Sequence, residues 1–175
     1  MPVPSAAESP DSTAAPEAVP AAAYRPGGAL RLGTRAFAPT ELVVMGIVNR
    51  TPDSFFADAR SADLAAARDA VDRAAGEGAG IVDIGGVRAG HGRAIDEAEE
   101  LERVLPVVAA VRGRHPDLVI SVDTWRAGVA RRVLAEGADL INDTWAGADP
   151  DLVGEVAAAR GGLVCSHTGG LGPRT

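Results

Sequence analysis

Leu42-Val43-Val44-Met45-Gly46-Ile47-Val48-Asn49-Arg50-Thr51-Pro52-Asp53-Ser54-Phe55-Phe56 is the stretch on which the reading of this chain turns. Residues 42–48 are apolar or small, rich in β-branched side chains and too short for a helix. That composition predicts a strand buried on both faces, as in a parallel sheet. Asn49 ends the strand. Thr51, Asp53 and Ser54 follow without apolar spacing, in a loop that Pro52 stiffens. Polar groups at the carboxyl end of a buried strand are where α/β folds place their ligands.

Outward from this stretch, strands and helices alternate. Helix 61–76 sets Leu64, Ala67, Val71 and Ala74 on one face at spacings of three and four, and Gly76 and Gly78 stop it. Strand 81–84 runs into Gly85-Gly86. Helix 96–112 turns Leu101, Val104, Leu105, Val108 and Val111 inward, with Glu97, Glu100 and Arg103 outward. Strand 118–122 ends at Asp123, and helix 125–136 carries Val129, Val133 and Leu134. Strand 140–141 ends at Asn142. Helix 150–160 carries Leu152, Val153 and Val156, and strand 163–166 ends at His167. Upstream, residues 30–37 predict a short strand or hairpin arm. Residues 1–29 are Ala, Pro, Ser, Glu and Gly with almost no large apolar side chain. They bury too little surface to offset ordering entropy, so a disordered tail is expected before a domain over 30–175.

This alternation predicts an α/β fold with a parallel sheet and right-handed crossovers. The units also resemble one another. Glu77-Gly78-Ala79-Gly80-Ile81 and Glu136-Gly137-Ala138-Asp139-Leu140 form the same join between helix and strand, and Asp123-Thr124-Trp125 recurs as Asp143-Thr144-Trp145. Such repetition suits a (β/α) barrel and a doubly wound sheet equally.

Composition narrows the function classes. A net charge of −7 disfavours nucleic acid or an anionic membrane as the main partner. No apolar run approaches the roughly 20 residues of a membrane span, and no basic residue precedes Arg25, so the start does not predict a signal peptide. One cysteine, Cys165, excludes an internal disulfide and fits a cytoplasmic setting. Aromatics are only 3%, so Val, Leu, Ile and Ala must build the core.

The polar strand ends admit two readings each. Asn49 is either a carboxamide ligand to a metal beside a diphosphate or a partner for loop backbone. Thr51, Asp53 and Ser54 are either site residues or a turn and helix cap. A carboxylate at Asp123 and an amide at Asn142 match the donor and acceptor pattern of an amino-pyrimidine edge. Alternatively Asp123 or Thr124 caps the next helix, and Asn142 or Asp143 starts a turn. Asp83 is expected to be structural, bonded at the floor of the fold or to nearby backbone. His115 is expected to be solvated and His167 to line the pocket. His91 lies in a Gly-rich loop, the three histidines lack zinc-ligand spacing, and Cys165 is expected as a small core residue.

Met45-Gly-Ile-Val-Asn-Arg-Thr-Pro-Asp-Ser-Phe55 resembles the opening signature of the dihydropteroate synthase family, and Ile120-Ser-Val-Asp-Thr124 and Ile141-Asn-Asp143 resemble two of its pterin-contacting motifs. The resemblance implies a pterin-binding TIM (β/α)8-type barrel of folate biosynthesis. Only its first five βα units are present here, so about 100 further residues are expected beyond this chain. It further implies condensation of p-aminobenzoate with dihydropterin methyl diphosphate. In that reading Asn49 contacts a Mg2+–diphosphate, Thr51, Asp53 and Ser54 lie in a loop that closes over the site, and Asp53 stabilises positive charge as diphosphate leaves. Asp123 and Asn142 hold the pterin, and a homodimer is expected of the full-length form.

Two places depart from the family. Its second loop reads Gly-Gly-Glu-Ser-Thr-Arg-Pro-Gly; here Gly85-Gly86-Val87-Arg88-Ala89-Gly90-His91-Gly92 keeps the length and loses the diphosphate-binding Thr and Arg. The Met-His-Met-like run is replaced by Cys165-Ser166-His167-Thr168. The alternative is therefore a catalytically inactive or re-purposed pterin-binding paralogue. An unrelated barrel aldolase ranks last, because the chain has no lysine to form a Schiff base. A corrinoid-linked methyltransferase of the same superfamily is weakened by the Thr-Pro-Asp-Ser loop.

Overall fold

The computed structural model describes residues 28–49, 57–87 and 94–167. The tail before residue 28, the loop residues Thr51, Asp53 and Ser54, the second-loop residues Arg88, Ala89, Gly90 and His91, and the segment from residue 168 onward lie outside the described residues.

A hairpin of β1 (Leu30–Leu32) and β2 (Arg35–Phe37) comes first, with Leu30 opposite Phe37. Five strands then pair in parallel in chain order: β3 (Met45–Asn49), β4 (Ile81–Gly85), β5 (Val119–Asp123), β6 (Leu140–Asp143) and β7 (Gly162–Cys165). They are joined by α1 (Ala57–Gly76), α2 (Glu97–Arg114), α3 (Ala127–Glu136) and α4 (Leu152–Ala158). Strand order narrows what periodicity left open. A doubly wound sheet reverses its order at a switch point. Here each crossover steps to the next strand without reversal. Element borders moved by a few residues, with β3 starting at Met45 rather than Leu42, and β3 is not buried on both faces as expected: Val48 is buried towards the helices, whereas Ile47 on the other face is 69% exposed.

The two faces of the sheet differ. On one, Val48, Val82, Ile84, Ile120, Val122 and Ile141 meet the helices through Val71, Val104, Val108, Val129, Val133 and Leu152. Each such aliphatic, fully buried, contributes about 1.5–3 kcal/mol, and with so few aromatics these side chains form the main core. On the other face, Leu32 and Phe37 of the hairpin cover Val119, Leu140 and Ile81, the first residues of their strands. That closes the amino-terminal end of this face, so the polar carboxyl ends can serve a ligand.

The repeated joins noted in the sequence share one geometry. Gly78 and Gly137 both take positive φ, 98° and 116°. Their N–H groups donate to Ala75 O and Leu134 O, and the next residues, Ala79 and Ala138, donate to Ala74 O and Val133 O. This is the left-handed C-cap that glycine adopts without a Cβ penalty.

One side chain expected outward points inward. Glu100 is fully buried on α2, where Gly86 has no side chain to exclude it. Its carboxylate pairs with the Arg126 guanidinium from the following unit, which offsets the burial of the charge.

Candidate functional site

Register assembles the candidate site. Asn49 aligns with Gly85, Gly85 with Asp123, and Asp123 with Asn142. Side chains alternate between faces along a strand, so this row shares one face. Neighbouring strands lie about 4.8 Å apart, which sets Asn49 roughly 10 Å along the row from Asp123. Between them Gly85 keeps space open. A Cβ there would stand 3.0 Å from Asn49 Oδ1 and 3.9 Å from Asp123 Cβ.

One layer below, Asp83 and Ser121 align on the same face. Ser121 Oγ donates to Asp83 Oδ1 at 2.5 Å, and Asn142 Nδ2 donates to Asp83 Oδ2 at 3.0 Å. Asp83 is therefore structural, as expected. Its partners, however, are side chains of the next two strands rather than the floor or local backbone.

Neither residue proposed for a pterin spends itself on a cap. The N–H of Ala127, the first residue of α3, donates to Asp149 Oδ2 at 2.8 Å, and Thr124 Oγ1 accepts from Arg126 N at 3.2 Å. Among the described residues, Asp123 accepts one bond, from Thr144 Oγ1 at 3.2 Å. A carboxylate has about four lone-pair sites, so capacity remains for a ligand. The turn after β6 belongs to Asp143, which accepts from Trp145 N at 2.8 Å and Gly147 N at 2.6 Å. The Asp-Thr-Trp repeat is thus out of phase in space. Asp123 faces the candidate site, whereas Asp143 faces the helices and is fully buried.

Electrostatics single out Asp123. Burial pushes its carboxyl up to about 6, and the neighbouring Asp83 charge adds to the rise. The Thr144 hydroxyl opposes this, and Glu100 and Asp143 raise it further. Burial also raises Glu100, against the Thr124 hydroxyl and the Arg126 guanidinium.

At the rim, Trp125 and Trp145 meet edge-to-face with centroids 6.2 Å apart, and the Arg126 guanidinium lies 4.2 Å over the Trp125 ring. Arg126 also donates to Ile95 O at 2.5 Å. Sequence reasoning noted the repeated Asp-Thr-Trp without seeing that Thr144 bonds Asp123 or that the two indoles meet. The recurrence was the available signal; the strand register needed to interpret it was not.

Among the described residues, no three His, Cys, Asp or Glu side chains are placed to hold a metal ion. Asn49, exposed at the end of β3, offers one neutral oxygen. That donor suits a cation arriving with its own phosphate oxygens and waters rather than a resident all-protein site.

Two lesser expectations change. His115 is not merely solvated: its Nε2 lies 2.6 Å from Asp72 Oδ1, and with Arg114 it holds the Asp72 carboxyl below its usual range. Cys165 is exposed, not a core residue, because β7 is the edge strand of the described sheet. His167 is exposed just past β7.

The described sheet is parallel, steps from strand to strand in chain order, and carries a polar row at its carboxyl edge. The chain belongs to the pterin-binding enzyme family, whose model matches residues 45–175. It is 54% identical over 142 residues to the "Inactive dihydropteroate synthase 2" of Mycobacterium tuberculosis H37Rv, an alignment covering 81% of this chain and 44% of that protein. The chain therefore spans less than half the length of that relative. Among solved structures, 7,8-dihydropteroate synthase from Vibrio fischeri ES114 matches with a TM-score of 0.73 and 35% identity, over 84% of this chain and 52% of that one. Burkholderia cenocepacia dihydropteroate synthase complexed with 7,8-dihydropteroate matches with a TM-score of 0.67 and 34% identity, over 84% and 48%.

Proposed function

We propose that this chain forms the first five strands, with the four helices between them, of a dihydropteroate synthase-type barrel that binds a pterin and does not catalyse condensation with p-aminobenzoate. The observation that carries the binding half is the shared row of Asp123 and Asn142. Asp123 supplies acceptors to the amino-pyrimidine edge, and Asn142 supplies a carbonyl oxygen to a ligand N–H. Asn49, at the far end of the row, would meet a Mg2+–diphosphate, whose cation offsets the charge of the diphosphate. Thr51, Asp53 and Ser54 belong to the same reading as loop residues over that end, as do a cytoplasmic setting and a homodimer.

Two observations favour catalytic silence. In the second loop, Ala89 and Gly90 stand where the resembling family has its Thr and Arg. Losing a hydroxyl and a bidentate cation removes charge-assisted bonds to a leaving diphosphate. The mycobacterial relative at 54% identity also carries "inactive" in its name. The test is a product assay. The chain, incubated with dihydropterin methyl diphosphate, p-aminobenzoate and Mg2+, is expected to form no dihydropteroate, and a strain lacking the synthase is expected to stay folate-dependent when it carries this chain. Turnover in the assay or rescue of the strain overturns the silent reading and restores the enzyme.

A further inference from the structure

We propose that Asp83 is the positioning residue of the pterin site, fixing through its buried carboxylate which atom of Asn142 the ligand meets. The inference rests on the reading of Asp123 and Asn142 as pterin contacts.

A carboxamide has two faces that differ by a 180° flip, one donating and one accepting. A free Asn at a strand end would present either. Asp83 removes the choice. It is 5% exposed and sits one layer below the row, with Ser121 Oγ at 2.5 Å on Oδ1 and Asn142 Nδ2 at 3.0 Å on Oδ2. A carboxylate has only acceptors to offer, so the atom facing it must be the NH2 group. The Asn142 carbonyl is then the group left for the open carboxyl end. Ser121 completes the device by occupying the other oxygen, which stops the carboxylate from rotating away. The three side chains come from β4, β5 and β6, so the orientation is held by sheet register rather than by a loop.

The same carboxylate acts on the other contact. Asp83 lies within electrostatic reach of Asp123 and disfavours its charged form, alongside Glu100 from α2 and Asp143 from β6. Thr144 Oγ1 is the group that opposes them. Removing the Asp83 charge should therefore change two things at once: the orientation of Asn142 and the pH at which Asp123 ionises. A residue that merely filled space would change neither.

The experiment compares wild type with Asp83→Asn, a near-isosteric change. In the ligand-free proteins, carboxyl-carbon NMR follows the Asp123 titration and side-chain amide resonances report Asn142. Asp83→Asn is expected to lower the Asp123 midpoint by about half a pH unit or more and to shift the Asn142 NH2 resonances. Pterin binding at pH 8 is expected to weaken about tenfold. Ser121→Ala, which keeps the charge, is expected to leave the Asp123 midpoint in place. An Asp83→Asn protein that melts like wild type and shows unchanged Asp123 midpoint and Asn142 resonances overturns the proposal. If wild type binds no pterin yet the ligand-free shifts appear, the pterin reading falls and the positioning of Asn142 by Asp83 stands. Should Asp83→Asn fail to fold, wild type decides. Slowly exchanging, displaced Asn142 amide protons support the proposal, and solvent-like ones overturn it.

Discussion

Asp123 is under opposing demands. To accept bonds from an amino-pyrimidine it must be ionised, yet burial and the Asp83 charge lift its carboxyl from 3.8 to about 6. The folded state therefore holds the proton more tightly than the unfolded chain. This contribution to stability is complete below about pH 4 and is lost as pH rises through about 6. At neutral pH the strained carboxylate costs roughly 1–3 kcal/mol, discounted for its partial exposure. Asp123→Asn is accordingly predicted to melt higher than wild type at pH 8, with the gap closing towards pH 4; equal melting temperatures at both pH values would contradict the raised carboxyl. The same titration predicts pterin affinity falling about tenfold between pH 7 and pH 5, measurable by calorimetry. Sequence reasoning singled out Asp123 and Asn142 because both lie in motifs of the resembling family; as polar residues at strand ends alone they fitted a cap or a turn as well. It misplaced Glu100, since helical spacing reports which positions share a face and says nothing of an Arg126 arriving from the next unit to neutralise a buried carboxylate.

The helix-to-strand joins show how element-level rules repeat along the chain. Gly78 and Gly137 occupy the left-handed C-cap after α1 and α3. After α4 the same pair of bonds forms, Arg160 N to Ala157 O and Gly161 N to Val156 O. Here the left-handed position, with φ 57°, is held by Arg160. A non-glycine residue there costs about 1 kcal/mol. Arg160→Gly is therefore predicted to stabilise the protein by about 0.5–1 kcal/mol, read as a higher urea midpoint. Gly137→Ala is predicted to do the opposite by about 1–3 kcal/mol, because φ is 116° and the new Cβ would sit 3.0 Å from Arg112 Cγ. The first two joins were legible as a repeated Glu-Gly-Ala. The third was not, because Arg160 hides the positional equivalence that only the hydrogen bonds reveal.

At the scale of the molecule, five strands in chain order put Asn49, Gly85, Asp123 and Asn142 on one row. The alternation that predicts a parallel sheet was plain in the sequence, and so were the polar strand ends at Asn49, Asp123 and Asn142. Register was not, because it depends on how one strand slides against another. A slip by one residue would have turned Asp143 rather than Asn142 towards Asp123. The hairpin β1–β2 closes the apolar amino-terminal end of this face, so the polar row is the part left for a ligand. Because Trp125 and Trp145 lie two and three residues beyond Asp123 and Asn142, occupancy of the row should change intrinsic fluorescence. The central claim is that Asp123 and Asn142 form a pterin site. Its most direct test is calorimetric titration of dihydropterin methyl diphosphate with Mg2+ into wild type and Asp123→Ala at pH 7.5. The account predicts saturable binding to wild type and at least about a tenfold loss in Asp123→Ala. Equal affinity for the two proteins would contradict it.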